Sequence, residues 1–326
     1  MTKPRTILAV ILATLSMGSA AFAQTYTTFT VPGAKSTAAL LINGAGTVVG
    51  TYVDAGEVQH GFVREADGTI TSFDPVGSTS TTPTGIDKSG TIVGTFQAGS
   101  TSHGFLRTAN GTITTFDPKR SSDTWVTAIH GMTIGYYLTG RRKVVGFTRK
   151  STGRYGRVRY PNAQRTEPIA INDVAVITGS YRSSKHDDWH GFLLAPDGTY
   201  TAFDPVGAVL TNPAGVSRDG TVVGTFQDSA GEHGFVRAAD GTVSPFDVSG
   251  AEATTALGIN TDDTVVGNYA DATGAAHGYQ RPSNGVIQTF NVTGAVSTFA
   301  VAINNKGTIV GSYFDANGGG SFIRTP

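Results

Sequence analysis

Two sets of residues in this chain could do chemistry, one periodic and one clustered. The periodic set is a histidine placed before glycine and an aromatic: His60-Gly61-Phe62, His103-Gly104-Phe105, His190-Gly191-Phe192, His233-Gly234-Phe235 and His277-Gly278-Tyr279. Aspartates keep step with it. Asp74, Asp117, Asp204 and Asp247 close Phe-Asp pairs, while Asp54, Asp228, Asp271 and Asp315 fall in loops. Imidazole and carboxylate are the groups of metal ligation and of general acid–base catalysis. The clustered set is basic. Residues 119–165 hold eleven Lys or Arg and one acid, Asp123, although the whole chain carries 24 charges of each sign. Trp125 and Trp189, the two tryptophans of the chain, flank this region, and Tyr136, Tyr137, Tyr155 and Tyr160 lie inside it. Guanidinium groups match carboxylate, sulfate or phosphate oxygens with paired donors, and aromatic rings offer flat apolar faces to sugars.

The elements that must position these residues repeat along almost the full length. Each unit has a short apolar piece ending near Ile-Asn, a Gly turn, T-[VI]-V-G-x-[YF], a polar loop, H-G-[FY]-x-R, a D-G or N-G turn, and T-[IV]-x-x-F-D. The glycines closing V-V-G fall at Gly50, Gly94, Gly135, Gly179, Gly224, Gly267 and Gly311, spaced by 44, 41, 44, 45, 43 and 44 residues. A period of that size with several strands per unit is the signature of a propeller. In the first unit the strands are expected near 38–43, 47–52, 61–64 and 69–74. The last two are joined by Asp67-Gly68, a pair suited to a two-residue type I′ hairpin. The expected fold is an all-β, seven-bladed propeller of four-stranded blades. The seventh unit stops after its third strand, and residues 25–34 (TYTTFTVPGA) resemble the missing fourth. The N-terminal strand should therefore close the last blade and remove an exposed sheet edge.

The repeat resembles the bacterial extracellular HAF repeat, with His-Gly-Phe or His-Gly-Tyr in place of His-Ala-Phe, and with the upstream I-N-x-x-G-T-x-V-G pattern at residues 303–311. The third unit departs from it, with Val145-Gly146-Phe147, as does the seventh, with Gly320-Ser321-Phe322. The resemblance implies export and a repeat scaffold, and no activity.

On a ring, corresponding positions of a repeat are carried onto separate blades, so the five histidines cannot meet. Their expected role is structural: a strand-start His bonded to a neighbouring blade, with the Phe-Asp carboxylates capping backbone amides of the following turns. No calcium loop is complete, no phosphate loop, zinc-protease or serine-nucleophile motif is present, and there is no Cys. Neither a metal nor any other cofactor is expected, and no catalytic residue is assigned. Attention shifts to the unit that breaks the pattern. Loops between blades and loops after the second strand share one face of a ring. That face should carry Lys119, Arg120, Trp125, Arg141, Arg142, Lys143 and Arg165, with Arg182, Lys185 and His186 beside them, while Arg154 and Arg157 should lie on the other.

The first 23 residues read as a signal peptide: Lys3 and Arg5, an apolar run at 7–15 too short to span a bilayer, and Ala21-Phe22-Ala23 before the cleavage point. Residues 24–326 form one domain, exported to the periplasm or beyond, with no later segment apolar enough for membrane insertion. The leading expectation is a non-enzymatic binding propeller for an anionic envelope or extracellular glycan, or another polyanion. Nucleic acid is disfavoured by the export signal and by the lack of a base-reading motif. A lyase or hydrolase of acidic polysaccharide, with Tyr160, Tyr137 or His186 as base, is one alternative. An adhesive or structural surface protein with a protein partner is the other.

Overall fold

The computed structural model of the chain describes residues 24–326 apart from 185–187 and 317. Residues 1–23, expected from the sequence to be a signal peptide, lie outside the described residues. The described chain is all β, with 28 strands. In the first unit they are Ser36–Ile42, Val48–Val53, Gln59–Arg64 and Ile70–Phe73, within two residues of the expected bounds. Antiparallel pairing runs through consecutive groups of four. Three groups stand as separate sheets, and two eight-stranded sheets each join two groups. The joints are single parallel residue pairs, Gln59↔Ser80 and Val144↔Arg165. Thr25–Phe29 pairs antiparallel with Gly320–Thr325 over its whole length and completes the last group, as expected from the sequence.

Each group buries the two faces of its middle strands against its neighbours, which is why V-V-G and G-F read as apolar runs. Phe62, Phe105, Phe147, Phe192, Phe235 and Phe322 are fully buried. Three further contacts recur between groups. A threonine near the start of each first strand (the second residue in six units, Thr124 as the fourth in the third) is buried and reaches back to the preceding turn, as in Val31 N to Thr37 Oγ1 (2.9 Å) and Val292 N to Thr298 Oγ1 (3.0 Å). Asparagines at the ends of first strands donate to the next group: Asn172 Nδ2 to Ser217 O (2.8 Å) and Asn304 Nδ2 to Asn43 O (3.1 Å). The latter bond joins the last group to the first. Finally, the Arg two residues after the buried Phe of the third strand lies over the Phe of the preceding group's outer strand, as Arg107 over Phe73, Arg149 over Phe116 and Arg324 over Phe290. Between the third and fourth groups both members change together, to Leu194 and Val158, which belong to one apolar cluster with Tyr181 and Phe192. The first strands of all seven groups line a common cavity of about 420 Å³.

Candidate functional site

The histidines turn inward on their own unit rather than across to a neighbour. His60 Nδ1 meets Asp74 Oδ2 at 2.6 Å, His103 meets Asp117 at 2.7 Å, His190 meets Asp204 at 2.7 Å and His233 meets Asp247 at 2.9 Å; His277 finds Asn291 at 2.9 Å. This corrects both structural roles expected from the sequence. The imidazole leads the third strand and the carboxylate follows the fourth, so antiparallel pairing sets them side by side. The link to the next unit is made by the carboxylate, which accepts from the buried Thr81 or Thr211 hydroxyl. The loop aspartates accept from amides of their own loops, as Asp54 does from Gly56 and Val58. Three of them also face the other imidazole nitrogen: Asp54 at 3.3 Å, Asp228 at 3.4 Å and Asp271 at 2.9 Å.

These pairs make stability depend on pH. Burial pulls His60 and His233 down, but hydrogen bonds and charge from two aspartates each outweigh it, and both are raised. His277 is raised by its bond to Asp271. Backbone amides hold Asp54 and Asp228 below the usual carboxylate range, and the Thr273 and His277 bonds do so for Asp271. A raised imidazole contributes stability below its unfolded pKa, and loses it as pH rises through the folded one. A lowered carboxylate contributes above its unfolded pKa and loses that stability as pH falls through the folded value. The thermal midpoint should therefore peak between about pH 4 and 6.5 and decline on both sides. Combined His60→Gln, His233→Gln and His277→Gln should flatten the decline above pH 6.5. An unchanged alkaline limb in that variant would remove the imidazoles as its cause.

The third unit has shed this whole arrangement. Thr139 stands at the place of the loop Asp and caps the loop through Lys143 N to Thr139 Oγ1 (3.1 Å). Val145 replaces the His and Arg159 the paired Asp. Cations come together where the acids are gone. Backbone partners run Ser121↔Thr139, Val144↔Leu138, Val144↔Arg165 and Arg165↔Arg182, one row across the third and fourth units. Lys119 and Arg120 enter this row just before Ser121, and Arg141, Arg142 and Lys143 form the turn between Thr139 and Val144. All five of those side chains are exposed. Arg120 and Arg142 sit at φ 68° and 58°; Gly77 holds the position of Arg120 in the first unit, while that of Arg142 is Glu57 (φ 65°) in the first unit and Gly274 in the sixth. A left-handed non-glycine residue costs about 1–2 kcal/mol, so these two turn tips hold their charge at the expense of stability.

Behind the exposed cations lies a partly buried layer. The Arg165 and Arg182 guanidinium carbons lie 5.3 and 4.9 Å from the Trp189 ring centroid. Arg165 is also held in a two-nitrogen fork by Glu167, at 2.6 and 3.1 Å. Trp125 is not in a loop. It lies within the strand Ser121–His130, stacked on Tyr136 at 5.4 Å. Burial pushes the Tyr136 hydroxyl up, and the charge of Glu167 adds to this against the opposing pull of Arg165. Glu167, Ser180, Trp189, Leu210, Thr211 and Asn212 line a pocket of about 170 Å³ between the fourth and fifth units.

Lys119, Arg120, Arg141, Arg142, Lys143, Arg165 and Arg182 are thus brought together, and Lys185 and His186 lie outside the described residues. Of the remaining cations of the basic segment, Arg159 stays beside this row, donating to Ala163 O at 3.4 Å, and the others go elsewhere. Arg149 packs on Phe116. Arg154 is on the opposite turn, whereas Arg157, expected there too, sits midway along the outer strand, opposite Phe147. Tyr160 stacks on Tyr181 at 3.6 Å and Tyr137 packs towards Phe147, so both rings serve the core. Sequence reasoning missed Glu167, two residues beyond the basic segment, and the central place of Trp189. The available signal was the variable position after the invariant Thr, which reads Ala38, Thr82, Trp125, Glu167, Asn212, Thr255 and Phe299 around the units.

No protein-family model matches the sequence, and no curated protein matches it. Solved structures do. The chain is similar to a virginiamycin B lyase from Staphylococcus aureus, at 12% identity and TM-score 0.61, with 93% of this chain and 100% of that chain covered. It is similar to the β-propeller domain of the Trilobed protease from Pyrococcus furiosus, at 12% identity and TM-score 0.62, covering 88% and 95%. It also matches TolB from Acinetobacter baumannii at 9% identity and TM-score 0.50, covering 82% and 76%. At such identities the likeness is one of fold, and that fold is the β-propeller.

Proposed function

We propose that this chain is an exported, seven-bladed propeller of four-stranded blades, of the HAF-repeat kind, forming one domain over residues 24–326. It binds an anionic envelope or extracellular glycan, or a similar polyanion, on the face of blades three and four. One observation carries the reading. A single unit gives up its loop Asp, its His and its paired Asp together, and the same face gains Lys119, Arg120, Arg141, Arg142 and Lys143. Solubility alone would not require two arginines at left-handed turn tips. A cluster of like charge on one face attracts and steers anions. Arg165 and Arg182, stiffened by Trp189, add oriented donors behind it.

The test is Arg141→Ser, Arg142→Gly, Lys143→Ser in one chain. Glycine suits φ 58°, so the variant should fold at least as stably as the parent. Surface charge contacts are worth roughly 0.2–1 kcal/mol each, so affinity for a uronate polymer should fall at least about threefold. Parent binding should weaken steeply with added salt. Equal affinity of parent and variant would end the proposal.

A further inference from the structure

We propose that the pocket between the fourth and fifth units is a subsite for one hydroxyl-rich pyranose ring of an acidic polysaccharide. This rests on the polyanion-binding reading and narrows its ligand to a glycan. The repeat supplies an internal comparison. Between the first and second units the corresponding cleft is closed by Gln59, whose amide donates to Thr82 Oγ1 at 2.8 Å and Thr81 O at 3.2 Å. Gln59 aligns with Trp189, and Thr82 with Asn212. On the facing strands of the third unit, the position of Glu167 is taken by Trp125 and that of Ser180 by Tyr136, which stack on each other.

In the fourth unit a shorter side chain bridges the cleft, Ser180 Oγ donating to Thr211 O at 3.0 Å, and no long side chain fills it. Trp189 turns its ring to the Arg165 and Arg182 guanidinium groups, leaving about 170 Å³ lined by Glu167, Ser180 and Asn212. Pockets for drug-sized ligands run roughly 300–1,000 Å³, so this space suits one ring. Its polar groups are of the kind that read hydroxyls. The Glu167 carboxylate accepts, and the exposed Asn212 amide both donates and accepts. Arg165 connects the pocket to the cation row, since it grips Glu167 and pairs in register with both Val144 and Arg182. A neutral residue in the pocket would thus be followed by an acidic one on the arginines. Linear polyphosphate meets the second requirement and not the first.

Asn212→Phe tests this, because the chain itself carries Phe299 at the corresponding position of the seventh unit, so the substitution fills the pocket with a side chain the scaffold accepts. Asn212→Ala is the companion that removes the amide and keeps the space. Calorimetry with a hyaluronan hexasaccharide, which alternates uronate and N-acetylhexosamine, would be run beside inorganic polyphosphate. The expected result is at least a tenfold loss of hexasaccharide affinity in Asn212→Phe, about threefold in Asn212→Ala, and unchanged polyphosphate binding in both. Equal effects on both ligands, or none on either, would overturn the subsite while leaving the polyanion reading intact. The parent binding polyphosphate but not the hexasaccharide would also overturn it. Failure of the parent to bind either would overturn the polyanion reading itself.

Discussion

A chain that begins at residue 34 rather than 24 is expected to lose most of its folding stability and to aggregate. The strand Thr25–Phe29 supplies the whole outer edge of the last unit, with five residue pairs from Thr25↔Thr325 to Phe29↔Ser321. Tyr26 packs 6.2 Å from Phe322 and 6.5 Å from Phe290, while Phe29 meets Phe62 edge-on at 6.0 Å. Arg64 lies 5.0 Å from the Phe29 centroid, the same cation–π contact that recurs at every other junction except that between the third and fourth units. Tyr26 and Phe29 are half-buried and Val31, also deleted, is buried; full burial of a large side chain is worth about 1.5–3 kcal/mol, of which the two rings contribute a part each, and the cation–π pair adds about 0.5–2. Those sums approach the roughly 5–15 kcal/mol that holds a typical domain together, and truncation also bares the Gly320–Thr325 edge to strand pairing. Urea midpoints and size-exclusion profiles of the two chains would check it. A rescue separates strand loss from chain cutting. Thr325 and Thr25 are backbone partners, so an Asn-Gly hairpin between them should join the ends, with the chain reopened before residue 34. That permutant should recover the parental midpoint. Parental stability in the truncated chain would refute closure by this strand.

The strand order and the closing strand were legible because they depend on period and turn chemistry, which local residues dictate. V-V-G at near-constant spacing, Asp-Gly hairpins and the orphan TYTTFTV segment each carry their own geometric demand. The partners of side chains were less legible, because they are set by register. Nothing local to His60 says that Asp74 stands beside it rather than a group on the next unit. The internal comparison does say so in hindsight, since His and Asp disappear together in the third unit, and Arg and Phe give way to Leu194 and Val158 at one interface. The site was half visible. Exposed cations could be read as a run in sequence, but Glu167 and Trp189 join them only when the first three strands of the fourth unit lie side by side.

The glycines that mark the period give the other large effect. They are not in left-handed turns, so their requirement is for space. Opposite each one the first strand bulges, as between Pro168 and Ala170 or Ala300 and Ala302. The bulge drives a backbone carbonyl towards the glycine Cα. A Cβ on Gly311 would stand 1.8 Å from Phe299 O, and one on Gly179 would stand 2.1 Å from Glu167 O. In the sixth unit the same carbonyl, Thr255 O, also receives the Tyr279 hydroxyl at 2.9 Å, so it has little freedom to retreat. Overpacking a core typically costs about 1–3 kcal/mol when side chains can shift, and here the obstacle is main chain. Gly311→Ala and Gly179→Ala should each destabilise by about 3 kcal/mol or more, read as a fall in the urea midpoint. The two should differ in function. Gly179→Ala must displace Glu167, so any folded fraction should lose hexasaccharide affinity, whereas folded Gly311→Ala should keep it. An alanine accepted at either position with an unchanged midpoint would show that the bulged carbonyl yields, and the repeat's spacing would then need another cause.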